Sequence, residues 1–154
     1  MSKKNLKIIL SGLDNAGKTS MLVGLRKMYG FESEVHGLKP TIRVDYYRRD
    51  FLNLQLNFFD MGGQQKFRNS YLKRPIYFES VNQLIYLIDV QDELRFEESV
   101  EYLGTILDIL DQMEYEKDHP IYVCFSKADY EFVEENIADY TSRVKMIKDL
   151  VSKT

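Results

Sequence analysis

Short apolar runs alternate along this chain with stretches of helical spacing, and their order predicts the architecture. Leu6-Lys7-Ile8-Ile9-Leu10 is an apolar run of strand length,. Met21, Leu22, Leu25 and Met28 then recur at helical spacing and predict a helix that stops near Gly30,. Residues 31–39 have no periodicity; with Gly37 and Pro40 they predict a long loop,. From Thr41 the period changes to two. Ile42, Val44 and Tyr46 alternate with Arg43, Asp45 and Tyr47, and Leu52, Leu54, Leu56 and Phe58 alternate with Asn53, Gln55 and Asn57. This pattern predicts an antiparallel hairpin with one buried face and a break at Arg48-Arg49-Asp50.

Beyond the hairpin, Phe67, Tyr71 and Leu72 in a polar segment predict a short helix ended before Pro75,. Residues 83–90 form a compact apolar run of the kind buried on both faces of a sheet,. Phe96, Val100, Leu103, Leu107 and Leu110 follow at steps of four and three, the mark of a long amphipathic helix,. Residues 120–125 predict another buried strand. Ile137, Tyr140, Val144, Ile147 and Val151 predict a last helix, with the acidic residues 131–135 favouring an N-terminus nearby,. Strands alternating with helices imply an α/β fold with a mostly parallel sheet and one antiparallel edge hairpin. Right-handed crossovers favour a doubly wound, three-layer sandwich.

Composition narrows the class without changing this picture. The chain has 154 residues, 44% of them hydrophobic and 29% charged, which suits one domain spanning 1–154 with a single core,. A formal net charge of −3 supplies no basic field, so nucleic acid is not an expected partner,. Cys124 lies in an apolar run and reads as a buried core thiol, with no second cysteine to pair it,. His36 and His119 stand alone in polar surroundings and have no metal-ligand spacing,. No apolar segment reaches membrane-spanning length. There is no secretory signal, no glycine at position 2 and no C-terminal cysteine,. The expectation is a cytoplasmic protein that meets membranes only through partners.

Chemistry concentrates where polar motifs follow apolar strands. Gly12-Leu13-Asp14-Asn15-Ala16-Gly17-Lys18-Thr19 spells G-x-x-x-x-G-K-[ST] between a predicted strand and a predicted helix, the context a phosphate-binding loop requires,. Its glycines let backbone N–H groups converge on an anion, and the helix N-terminus adds unpaired donors. Lys18 can reach terminal phosphates, and the Thr19 hydroxyl can hold Mg²⁺. Asp60, ending the second hairpin strand, is the expected acidic partner of that ion, acting through a water. Thr41 is either a further oxygen ligand or an ordinary strand-start threonine. In Asp60-Met61-Gly62-Gly63-Gln64, Gly63 can offer its N–H to a γ-phosphate and Gln64 can orient an attacking water,. The third motif is Ser126-Lys127-Ala128-Asp129. In a parallel sheet, all three should meet at the carboxyl edge.

On Gly12–Thr19, Pro40-Thr41 and Asp60–Gln64, the chain resembles the Ras superfamily of small GTPases, and its Arf and Arf-like branch most closely. The Gly-Leu-Asp opening of the loop and the double glycine before Gln64 lean toward Arf. The resemblance implies a P-loop NTPase sandwich that binds GTP and GDP with Mg²⁺. It implies nucleotide contacts from Asp14, Asn15, Ala16, Gly17, Lys18, Thr19, Ser20, Thr41, Gly63, Ser126, Lys127 and Asp129. The metal would be held at Thr19, Thr41 and Asp60, and Gln64 and Lys18 would carry hydrolysis. Asp129 would read the guanine edge, with Lys127 lying along the base. Thr41 would lie in a first switch and Gly63-Gln64 in a second. An exchange factor, an arginine-donating activating protein and effectors would meet them there. Leu38-Lys39-Pro40 leaves the usual place for a cis arginine empty, and Arg43 is expected to face solvent or an effector.

Two departures accompany the resemblance. The base-reading motif begins with Ser126 rather than asparagine, a position at which the Rag branch also departs, and the change is worth about 1–2 kcal/mol if one hydrogen bond is lost. After Asp129 there is room for one helix, so the usual last strand and helix are lacking and Ile121–Phe125 becomes a sheet edge open to association. Three explanations stand: a chain cut before its native end, a naturally minimal domain, or a partner that supplies the missing layer. Two functional rivals to a GTP-hydrolysing switch also stand. One is an ATPase or nucleotide kinase using the same loop, and the other is a module that holds GTP as a scaffold with little or no hydrolysis. Phe67, Tyr71, Tyr77 and Phe78 are either an effector surface or core.

Overall fold

The computed structural model describes residues 3–29, 44–113 and 120–154. The loop 31–39, Pro40, Thr41, Arg43, His36 and His119 lie outside the described residues. Five strands form one sheet in the order β2-β3-β1-β4-β5: β1 Lys4–Gly12, β2 Val44–Phe51, β3 Leu54–Met61, β4 Gln83–Asp89 and β5 Ile121–Ser126. Among the described residues, only the β2–β3 pair is antiparallel. The helices are α1 Lys18–Tyr29, α2 Gln65–Leu72, α3 Phe96–Gln112, α4 Tyr130–Glu135 and α5 Ile137–Val151.

The sheet separates two apolar layers. On one face Ile8, Leu10, Tyr47 and Phe58 pack with Leu22 of α1. On the other, Ile9, Leu84, Tyr86 and Ile88 pack with Tyr71 of α2, Leu103 and Ile106 of α3 and Ile147 of α5. The three-layer α/β expectation therefore holds. β1 and β4 alternate between these faces and are buried on both, which is why they read as continuous apolar runs.

The hairpin differs from its expected form in two respects. Strand β2 continues through Arg48-Arg49-Asp50, and the turn falls at Leu52-Asn53, closed by the Phe51–Leu54 pair. A sheet edge tolerates those charges: Lys3 Nζ reaches Asp50 at 2.6 Å from β1's start,. Leu52 takes a left-handed φ of 54° and is left exposed in the turn. Nor is only one face buried. Val44 and Met61 enter one layer, Tyr47 and Phe58 the other, because apolar layers cover both faces of the sheet.

At the far side β5 forms the other edge, as expected, with Ile121 and Tyr122 exposed. Cys124 is consequently only half-buried rather than a core thiol. Two helices, not one, follow Asp129. The acidic segment closes its own short helix, α4, before Asn136 breaks the path, and α5 then packs on α3. Among the described residues no helix is long and apolar enough to cross a membrane.

The registers set the site. Leu10 pairs with Asp60, Gly12 with Leu87, and Asp89 with Ser126. The carboxyl ends of β1, β3, β4 and β5 thus share one edge, and the three polar motifs emerge together there.

Candidate nucleotide site

The loop after β1 is shaped by its backbone. Gly12 has φ 140°, and a Cβ there would stand 2.4 Å from the Leu87 carbonyl oxygen, so only glycine lets the strand end pass so close to β4,. The Ala16 N–H donates to the Leu13 carbonyl at 3.3 Å, and the Met21 N–H to Gly17 at 2.9 Å, so the loop turns directly into α1. Ala16 is buried beneath the loop. The Lys18 side chain folds back over it, donating to the carbonyls of Gly12 at 3.0 Å and Leu13 at 2.6 Å. Lys18 is buried, with 6% of its surface exposed. Burial pushes its pKa below the usual lysine value, while the carboxylates of Asp60 and Asp14 oppose the shift,.

Opposite stands a hard-oxygen pair. The Thr19 hydroxyl donates to Asp60 Oδ2 at 2.9 Å, and Asp60 is buried at the end of β3. A hydroxyl and a carboxylate at this spacing fit Mg²⁺, which needs one or two protein oxygens and retains its waters. Asp45, directly across the β2–β3 ladder from Asp60, also borders this space. The motif carried no sign of Asp45; only the hairpin register brings it in.

The segment after Asp60 is pinned against the loop. A Cβ on Gly63 would lie 2.3 Å from the Asp14 amide nitrogen and 2.4 Å from the Leu13 carbonyl oxygen. The Gly62 N–H donates to the Tyr71 hydroxyl at 3.0 Å, and the Gly63 carbonyl accepts from Arg68 Nε at 2.9 Å. Arg68 also pairs with Glu98 and stacks its guanidinium 5.0 Å over the Tyr102 ring. Neither Arg68 nor Glu98 belongs to a motif; a charge on the buried face of α2 is a readable signal for Arg68, whereas Glu98 is partly exposed and offers none. Tyr71 and Phe78 belong to the core, while Tyr77 packs against it and Phe67 borders the cleft. Gln64 stands exposed just ahead of α2.

These walls enclose a cleft of roughly 520 Å³. Of the expected site residues, Asp14, Asn15, Gly17, Lys18, Thr19, Ser20, Asp60, Gly63, Gln64 and Lys127 border it. The base side is less closed. Lys127 takes a left-handed φ of 57°, its ammonium meets Asp89 at 2.6 Å, and its carbonyl accepts from Gln91 Nε2 at 2.8 Å. The Ser126 hydroxyl donates to the Ile88 carbonyl at 3.2 Å, back into the sheet. Asp129 is exposed ahead of α4, its side chain making no capping bond, and it stands outside the cleft lining.

A five-stranded, mostly parallel sheet with this loop, this carboxylate and this glycine pair on one edge defines a P-loop protein of the small-GTPase fold. The model of the ADP-ribosylation factor family matches residues 1–148, and the chain belongs to that family. It is 32% identical over 107 residues to the ADP-ribosylation factor-like protein alp41 of Schizosaccharomyces pombe, an overlap covering 70% of this chain and 53% of that protein. Among solved structures it is similar to the ADP-ribosylation factor-like GTP-binding protein, small COPII coat GTPase SAR1, of Encephalitozoon cuniculi in complex with GDP. That similarity has a TM-score of 0.60 and 26% identity, covering 97% of this chain and 61% of that one. The chain thus spans little more than half the length of these relatives.

Proposed function

We propose that this chain binds guanine nucleotides with Mg²⁺ and hydrolyses GTP slowly, acting as a GDP/GTP switch. The observation that carries the reading is the meeting of Lys18, the Thr19–Asp60 pair and the Gly63-Gln64 segment around one cleft. The GDP complex of the similar SAR1 supports the choice of guanine.

Each residue has a physical task. Lys18 exchanges the carbonyls of Gly12 and Leu13 for phosphate oxygens, which repay its desolvation far better. Thr19 and Asp60 would hold Mg²⁺, which when bound offsets the charge gathering on the phosphates. Gly63 brings a backbone N–H to the loop with no side chain between, and Gln64 orients the attacking water. Among the described residues, two arginines lie near the cleft, and both are committed: Arg68 to Gly63 and Glu98, Arg95 to Asp14 and Asp92. Fast turnover therefore calls for an arginine from a partner, worth on the order of 10³–10⁵ in rate.

A second reading, a GTP-holding scaffold with little hydrolysis, is favoured by Ser126, whose hydroxyl turns to Ile88. Single-turnover hydrolysis of bound GTP separates the two. The switch reading expects slow release of phosphate that Gln64→Leu suppresses, and a basal rate indifferent to that change counts against it.

A further inference from the structure

We infer that Arg95 is a positioning residue for the phosphate loop, bracing Asp14 and cancelling its charge beside the bound phosphates. The inference rests on the nucleotide-binding reading above. Arg95 sits at the end of a short 3-10 turn, Glu93–Arg95, immediately before α3. Its backbone is fixed first, because its N–H donates to the Asp92 carbonyl at 3.1 Å and the next residue, Phe96, is buried. Its guanidinium then spans three acceptors. Nε donates to Asp92 Oδ2 at 2.6 Å, Nη1 to Asp14 Oδ1 at 2.8 Å, and Nη2 to the Asp14 carbonyl at 3.2 Å. One side chain thus holds both the carboxylate and the backbone of a phosphate-loop residue 81 positions away.

The placement of Asp14 gives the brace its function. Asp14 is one of the residues lining the cleft, and its carboxylate acts electrostatically on the Lys18 ammonium, raising its proton affinity. Its amide is the atom against which Gly63 packs. An unpaired anion there would repel phosphate, and a loose Asp14 backbone would misplace both loop and Gly63. The same short segment carries Asp89, whose carboxylate holds Lys127 at 2.6 Å. Residues 89–95 therefore tie the phosphate side and the base side of the cleft together. Exposed ion pairs contribute little to stability, and Arg95 and Asp14 are partly exposed, so the consequence falls on binding rather than folding,.

The test compares the full chain with Arg95→Ala, Arg95→Lys and the double variant Arg95→Ala/Asp14→Asn. Two probes are used with Mg²⁺: tripolyphosphate, which has no base, and a fluorescent GDP whose release rate is followed. Arg95→Ala should weaken tripolyphosphate and speed GDP release by about tenfold, with a melting midpoint within about 2 °C of the parent. Adding Asp14→Asn should recover phosphate affinity to within about twofold, since it removes the stranded charge. Arg95→Lys should fall between, and it is the reporting variant if the alanine form does not fold. Unchanged affinity in Arg95→Ala overturns the inference, and so does a double variant that recovers nothing. If the parent binds tripolyphosphate but no GDP, the guanine reading fails while the brace is still decided by tripolyphosphate. A parent that binds neither overturns both.

Discussion

The two ends of the cleft are built differently. At the phosphate end, the described elements are cross-tied. Lys18 is held by two carbonyls, Thr19 by Asp60, Gly63 by close contact with Leu13 and Asp14, and Arg68 by α3. At the base end, Ser126 turns back to Ile88, Lys127 leans on Asp89, and Asp129 stands in solvent beside an edge strand. Rigidity is concentrated where charge must be neutralised. On the proposed reading, the phosphate end would then supply the larger share of nucleotide affinity, and the base end would be the more easily adjusted.

The strongest way to break this contrast is Lys18→Met. Loss of a buried ammonium from the phosphate site should lower nucleotide affinity at least about 100-fold, or ~3 kcal/mol, by calorimetric titration. The nucleotide-free protein should lose no stability. Burial holds the Lys18 pKa below its unfolded value, so the charged form is a cost at neutral pH, one relieved only as pH rises through the depressed pKa,. A large drop in the melting midpoint of nucleotide-free Lys18→Met would make the lysine a stabilising strut instead.

Gly63→Ala comes next. The added methyl must displace the Asp14 amide or the Gly63 segment, at about 1–3 kcal/mol,. Hydrolysis should fall by at least about tenfold while GDP affinity changes only a fewfold, which separates the γ-phosphate segment from the grip itself.

A smaller effect tests the support beneath the phosphate end. Burial raises the phenol pKa values of Tyr71 and Tyr86, the latter donating to the Ser99 carbonyl at 2.7 Å. Unfolded phenols ionise near pH 10 while these stay protonated, so the native state binds more protons there and stability falls as pH rises above 10. Tyr86→Phe should cost about 1 kcal/mol at neutral pH and make the alkaline decline shallower by up to ~1.4 kcal/mol per pH unit, read from denaturant midpoints. An unchanged alkaline slope would exclude Tyr86 from that decline.

The smallest expected change is at the base end. Ser126→Asn should raise guanine-nucleotide affinity by no more than about tenfold and leave tripolyphosphate binding unaltered. An equal gain for both probes would erase the distinction between the two ends.

What could be read from the chain followed the same division. Gly12–Thr19 and Asp60–Gln64 are local patterns, and strand periodicity was enough to bring them to one edge. Asp45, Arg68 and Arg95 escaped because their roles depend on hairpin register and on helix packing across long separations. The hairpin turn was misplaced since a charged edge strand looks like a loop, whereas an exposed Leu52 in a left-handed turn does not. Cys124 looked buried because an apolar run does not reveal that its strand has a neighbour on one side only.

The proposed binding of guanine nucleotides joins a cross-tied phosphate end to a looser base end. It is tested most directly by releasing and identifying the nucleotide carried through purification without added ligand. GDP is the expected species, with GTP the minor one. An adenine nucleotide, or none at all on folded protein that binds tripolyphosphate, would contradict it.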